Sequence, residues 1–81
     1  ELEIEKVNLV DGQIAVWGWS VDVEGERMPD TVVLFDDTTV IATDSRLTKS
    51  TDAQDRHGDA FAYSRFSLRG PETTPLRVAA I

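Results

Sequence analysis

The chain has no cysteine, a single histidine, three prolines, and no apolar run near the roughly eighteen residues that a membrane-spanning helix requires. Without cysteine there are no disulfides, and the redox compartment stays open, because disulfide-free domains occur on both sides of a membrane. His57 stands between Arg56 and Gly58 in a polar stretch. It lacks the second histidine or cysteine that zinc ligation or a general-base arrangement would need, and reads as a solvated loop residue. Positive charge is scarce as well. Eight Lys and Arg face fifteen Asp and Glu, leaving a net charge of -7. Nucleic acid is excluded as a partner on this ground, since affinity for a phosphate backbone comes mostly from clustered Lys and Arg. No basic-then-apolar leader opens the sequence, and Glu1 stands where a methionine would. The expectation is one domain, residues 1–81, cut from a longer protein whose remaining chain is its first partner. This segment itself should not insert into a membrane.

What is present is strand pattern. Eighty-one residues suffice for a modest core. The central stretch is Gln13 to Asp22, which carries both tryptophans. In a regular strand Ile14 and Val16 share one face while Ala15, Trp17, Trp19 and Val21 share the other. A bulge at Gly18 would move Trp19 onto the face of Ile14 and Val16, giving Trp19 in the core and Trp17 outside. Ahead of it, Leu2 and Ile4 fall on one face of a first strand and Val7 and Leu9 on the other, which implies a change of face near Glu5-Lys6 or a looser register there. Asp11-Gly12 between the two strands is a strong hairpin signal, because glycine supplies positive φ cheaply.

Further on, Thr31 to Phe35 and Thr39 to Thr43 are rich in β-branched and aromatic residues, with Asp36-Asp37-Thr38 turning between them. Their consecutive apolar positions suit strands covered on both faces. Residues 44–59 are polar, with Leu47 and Ala53 the apolar exceptions. Ser50 or Thr51 is placed to cap one or two exposed helical turns there, with Gly58 past their end. Strand period resumes at Phe61 and Tyr63, a turn-rich break spans Gly70 to Pro75, and Leu76, Val78 and Ala80 face one way in a last strand. The fold class is all-β: an antiparallel β-sandwich of six to seven strands, immunoglobulin-like or jelly-roll-like, with a helical turn in the crossover where the chain switches sheets.

Gly18, Trp19, Ser20 and Asp22, preceded by apolar alternation and followed by a Val-rich hairpin, carry a resemblance. Together with Asp52-Ala53 and Phe66, they make the chain resemble a small β-sandwich accessory domain appended to bacterial cell-envelope proteins, often glycosyltransferases or many-spanning membrane proteins. In that pattern Arg-Pro precedes the Asp-Val pair and glycine precedes the Phe, whereas Ser50-Thr51 and Arg65 stand at those places here. The resemblance implies an accessory, structural role in an extracytoplasmic, periplasmic or cell-surface protein, and it transfers no catalytic residue.

Three function classes follow. The first is that non-catalytic accessory domain. The second is a carbohydrate-binding module, in which Trp17, extended by Tyr63 or Phe61, stacks on a pyranose while polar neighbours bond its hydroxyls; the plainer reading of these aromatics is sheet cover. A small hydrolase is the third, with an acid/base pair drawn from Asp36, Asp37, Asp44, Asp52 and Asp55. Such a pair needs an apolar pocket to raise one pKa, and so small a domain has little volume for one. Calcium ligands can be counted in Asp22, Glu24 and Glu26, or in Asp52, Asp55 and Asp59, but neither set has the spacing of a known loop. No catalytic residue, metal ligand or cofactor is assigned; the ligand-contact candidates are Trp17 and Tyr63.

Overall fold

A computed structural model describes residues 1–72 and 76–81. Within them lie six strands: β1 (Leu2–Val10), β2 (Gln13–Ser20), β3 (Val32–Phe35), β4 (Val40–Asp44), β5 (Arg65–Pro71) and β6 (Arg77–Ala80). A helix, α1 (Thr51–His57), and a 3-10 turn (Asp59–Phe61) stand between β4 and β5. The strands form two antiparallel three-stranded sheets, ordered β1-β2-β5 and β4-β3-β6. As expected, the polar crossover is a place where the chain changes sheet. It also changes sheet after β2 and after β5.

The first hairpin closes as its sequence predicts. Asp11 and Gly12 have φ of 52° and 76°, the positive pair that a two-residue type I′ turn requires. Along β1 the register steps at Glu5, with Ile4 opposite Gly18 and Lys6 opposite Trp17. That extra residue reverses the alternation, so Leu2, Ile4, Val7 and Leu9 all share the face of Ile14, Val16 and Gly18. Glu3, Lys6 and Asn8 fall on the opposite face with Ala15, Trp17 and Trp19. The change of face near Glu5-Lys6 is thus present, but the bulge expected at Gly18 is not. β2 pairs with β5 in unbroken register from Gln13–Pro71 to Trp19–Arg65.

Gly18 has a different reason to be glycine. A Cβ there would lie 2.0 Å from the Glu3 carbonyl oxygen and 2.9 Å from Phe66 Cζ. The β1 backbone presses on this position and the Phe66 ring lies over it, an aromatic covering the gap a glycine leaves.

Trp19 is only 1% exposed, yet it remains on the face away from Ile14 and Val16. The explanation is a second core. Between the sheets, Ile14, Val16, Phe66 and Leu68 meet Val32 and Leu34. On the outer face of the first sheet, Trp19 and Val21 meet Ala53 of α1 and Phe61 of the 3-10 turn, with Met28 against them. Seven residues are too few for a helix to persist alone in water. This one is capped by Ser50, whose Oγ accepts from the Ala53 amide at 3.1 Å, and docked through buried Ala53. The helix is the one or two largely exposed turns expected, but through Ala53 it also roofs Trp19. His57 is not the solvated loop residue expected. Its ring is edge-on to those of Trp19 and Phe61, with centroids 5.7 and 6.0 Å apart. Because Phe61 is committed to this core, β5 starts at Arg65 instead of Phe61.

The second sheet is simpler. Val32 and Leu34 are enclosed, while Val33 and Phe35 are half-buried and Val40 is 60% exposed. Cover on both faces, expected from the apolar runs of the third and fourth strands, is absent because the helix packs on the other sheet. Val78 and Ala80 stand opposite Leu34 and Val32, sharing a face as expected. Gly70 and Pro71 belong to β5 and not to the expected break; Glu72 follows outside any strand, and residues 73–75 of that break lie outside the described residues.

The two sheets do not close into a barrel. At one seam Asp44 Oδ2 accepts from the Ser67 amide at 2.8 Å. Ile41 fills the space above Gly70 on the same side. At the other seam β1 and β6 leave an apolar trough of about 300 Å3, lined by Leu2, Ile4, Val7, Leu76 and Val78 among others.

Candidate binding site at Trp17

The helical roof covers the outer face of the first sheet only at its Trp19 end. Beyond it the face is open. There Trp17 is half-buried, with Lys6 opposite it on β1 and Ser67 on β5. One pair further along, Ala15 lies between Asn8 and Arg69. A small side chain at the centre of a row of larger ones makes a depression. The result is a notch of about 210 Å3 whose lining includes Ala15, Trp17, Asn8, Gln13 and Arg69.

The notch is polar at its rim and aromatic on one wall. Lys6 Nζ stands 5.6 Å from the Trp17 ring centroid, within cation–π range. Gln13 and Asn8 bring amides, which donate and accept, and Arg69 brings a planar donor fork. A pyranose needs this mixture, with an apolar face to lean on and donors and acceptors for its hydroxyls.

Tyr63 is not part of it. It is 63% exposed in the turn before β5, next to Ser64, whose carbonyl accepts from the Ser20 amide at 3.0 Å. That is the far end of the sheet from Gln13. Phe61, the other proposed extension, is buried beneath the helix. Of these aromatics Trp17 alone lines the notch, and Lys6, Asn8 and Arg69, which the sequence does not single out, stand beside it. Arg69 was legible from period alone, since Arg65, Ser67 and Arg69 alternate with the buried Phe66 and Leu68. Lys6 and Asn8 needed the position of the bulge.

The carboxylates take up other work. Asp22 accepts from the Gly25 amide at 3.0 Å and pairs with Arg27 at 3.7 Å. Asp37 pairs with Arg77, and Asp59 accepts from the Gln54 side chain at 2.9 Å. Among the described residues, no three His, Asp or Glu gather as they would to hold a metal ion. Asp36 orders its own turn, accepting from the Thr38 and Thr39 amides. One carboxyl is perturbed: Glu5, in the bulge, is held above its ordinary value of 4.5. Burial is the first cause, followed by its hydrogen bond with Asp52, with the charges of Asp52 and Glu3 adding to it and Arg65 opposing it. Two carboxyls in hydrogen-bond contact are closer than the roughly 5 to 9.5 Å that separates glycosidase pairs.

Around His57, Nε2 lies 3.3 Å from Glu1 Oε1, a contact that does not meet hydrogen-bond geometry. Arg56 reaches Glu1 at 3.3 Å and Glu3 at 3.6 Å while its guanidinium carbon sits 5.6 Å from the Trp19 ring centroid. These contacts tie the start of the chain to the roof. No helix among the described residues is long and apolar enough to cross a membrane.

Set against protein-family models, curated proteins and solved structures, the chain matches none.

Proposed function

We propose that this chain is a non-catalytic accessory domain of a larger bacterial cell-envelope protein, of the glycosyltransferase or many-spanning membrane kind, and that it contacts saccharide through Trp17. The observation that carries the contact is the open notch: an aromatic wall, a small-residue floor and three polar side chains, on the stretch of sheet face that the helix leaves bare. Its volume is below the roughly 300–1,000 Å3 of pockets that enclose a drug-sized ligand, which suits one sugar ring of a longer chain. Support for the parent protein and for a place outside the cytoplasm comes from Gly18, Trp19, Ser20 and Asp22, the segment that resembles the envelope-associated domains. In this reading the two sheets are a β-sandwich of immunoglobulin-like or jelly-roll-like type.

The test is a two-dimensional amide and indole NMR titration with a mixture of bacterial envelope oligosaccharides. Movement of the Trp17 indole and of the Asn8, Ala15 and Arg69 amides, with the Trp19 indole still, is expected. Stationary Trp17 signals at millimolar sugar would remove the binding role.

A further inference from the structure

The charges around the notch say more about the ligand than its shape does. This is a protein of net charge -7, and of its eight Lys and Arg three are held in ion pairs. Arg27 pairs with Asp22, Arg56 with Glu1 and Glu3, and Arg77 with Asp37. Arg65, on the same outer face as Trp17, sits close enough to Glu5 to lower its pKa. Lys6 and Arg69, like Arg46 and Lys49 of the crossover, are in no ion pair among the described residues. What sets Lys6 and Arg69 apart is their place, beside the notch on the strands either side of β2. Lys6 leans on the Trp17 ring, and Arg69 is part of the notch wall. Two strand spacings of about 4.8 Å separate their backbones. Both side chains are long enough to reach one group seated over Ala15.

We propose that the notch takes an acidic saccharide, with the sugar ring against Trp17 and its oxyanion between Lys6 and Arg69. This rests on the reading of Trp17 as a sugar contact and narrows it to a ligand class. A cation held on an aromatic face keeps its charge while losing part of its water, so it meets an incoming anion at reduced desolvation cost. Arg69 adds a planar fork that matches a carboxylate or a phosphate in two parallel hydrogen bonds. A neutral sugar would leave both charges without a counter-charge. The surrounding negative surface repels other polyanions, so the pair serves a short acidic unit better than a long phosphate backbone.

The test compares three probes on the same amide and indole signals: maltotriose, trigalacturonic acid and mannose 6-phosphate. Tighter binding of either acidic probe than of maltotriose is expected, the better one naming the anion as carboxylate or phosphate. Arg69→Gln and Lys6→Gln should each weaken that binding about tenfold and weaken maltotriose binding by clearly less. Salt raised from roughly 20 to 500 mM should weaken it too, since the site is exposed to screening. Equal affinity for all three probes, or indifference of the acidic probes to both substitutions, would overturn the charge assignment and leave the sugar contact standing. No response at Trp17 to any probe would overturn both.

Discussion

Replacing Gly18 by alanine gives a prediction whose sign separates two accounts of the same residue. A glycine inside a strand without close neighbours is a weak point, and alanine there should stabilise by about 0.5–1 kcal/mol. The structure requires the opposite. The new methyl would lie 2.0 Å from the Glu3 oxygen and 2.9 Å from Phe66 Cζ, against ordinary C···O contacts near 3.3 Å. Phe66 can tilt its ring, but the Glu3 oxygen is backbone and can withdraw only if β1 leaves β2 beside the bulge. Overpacking of this kind costs about 1–3 kcal/mol, and each ladder hydrogen bond lost adds about 1 kcal/mol. The expected total is about 3 kcal/mol or more. At ~0.05–0.15 kcal/mol per residue, an 81-residue chain has about 4–12 kcal/mol to lose. Urea unfolding followed by far-ultraviolet circular dichroism measures it. With a slope of about 1 kcal/mol per molar, the midpoint should fall by about 3 M, or the folded baseline should vanish. A midpoint that rises, or moves by less than 0.5 M, would refute the close approach of β1 and with it the stated reason for glycine.

Trp19→Ala should cost about 3–5 kcal/mol and Trp17→Ala much less, read by the same unfolding curves; equal losses would contradict the burial of one indole beneath the helix and the openness of the other. Ser50→Ala removes the cap on α1 and should cost about 1 kcal/mol, with faster amide exchange at Ala53 as the local sign. Glu5→Gln should stabilise at neutral pH. The native carboxyl is raised above 4.5, so its favourable contribution is complete below that value and is lost as pH rises through the native pKa. The variant's stability should be flatter across that window; because Glu5 is largely exposed, screening keeps the difference small, and an unchanged pH profile would remove Glu5–Asp52 coupling as its source.

Local rules carried the sequence reading far where one rule acted alone. Positive φ at Asp11 and Gly12, the cap at Ser50 and the period of Leu76, Val78 and Ala80 each depend on a few neighbouring residues. The change of face at Glu5-Lys6 was legible because four apolar side chains on one strand must all reach one core. Trp19 is different. Its bulk predicts burial, but with a single core that burial requires a bulge at Gly18. A second core depends on a polar segment far along the chain, from which Ala53, His57 and Phe61 turn towards Trp19. The same segment misled the reading of His57, which looks solvated from its neighbours Arg56 and Gly58 and is packed between rings because the helix docks. At the candidate site Trp17 was recognisable by type, whereas Lys6, Asn8 and Arg69 become its neighbours only through the pairing of three strands.

That β2 separates two cores has a consequence for how the domain comes apart. Its inner residues hold the sheets together; its outer residues hold the roof. The roof is one short helix and a 3-10 turn, tied down by Ala53, Phe61 and the Arg56 contacts to Glu1 and Glu3. Cooperative units with few apolar anchors open at lower free energy than the rest of a domain. The helical segment should therefore lift as a unit while the six strands stay paired, and Trp19, buried beneath it, becomes an internal gauge of that partial opening.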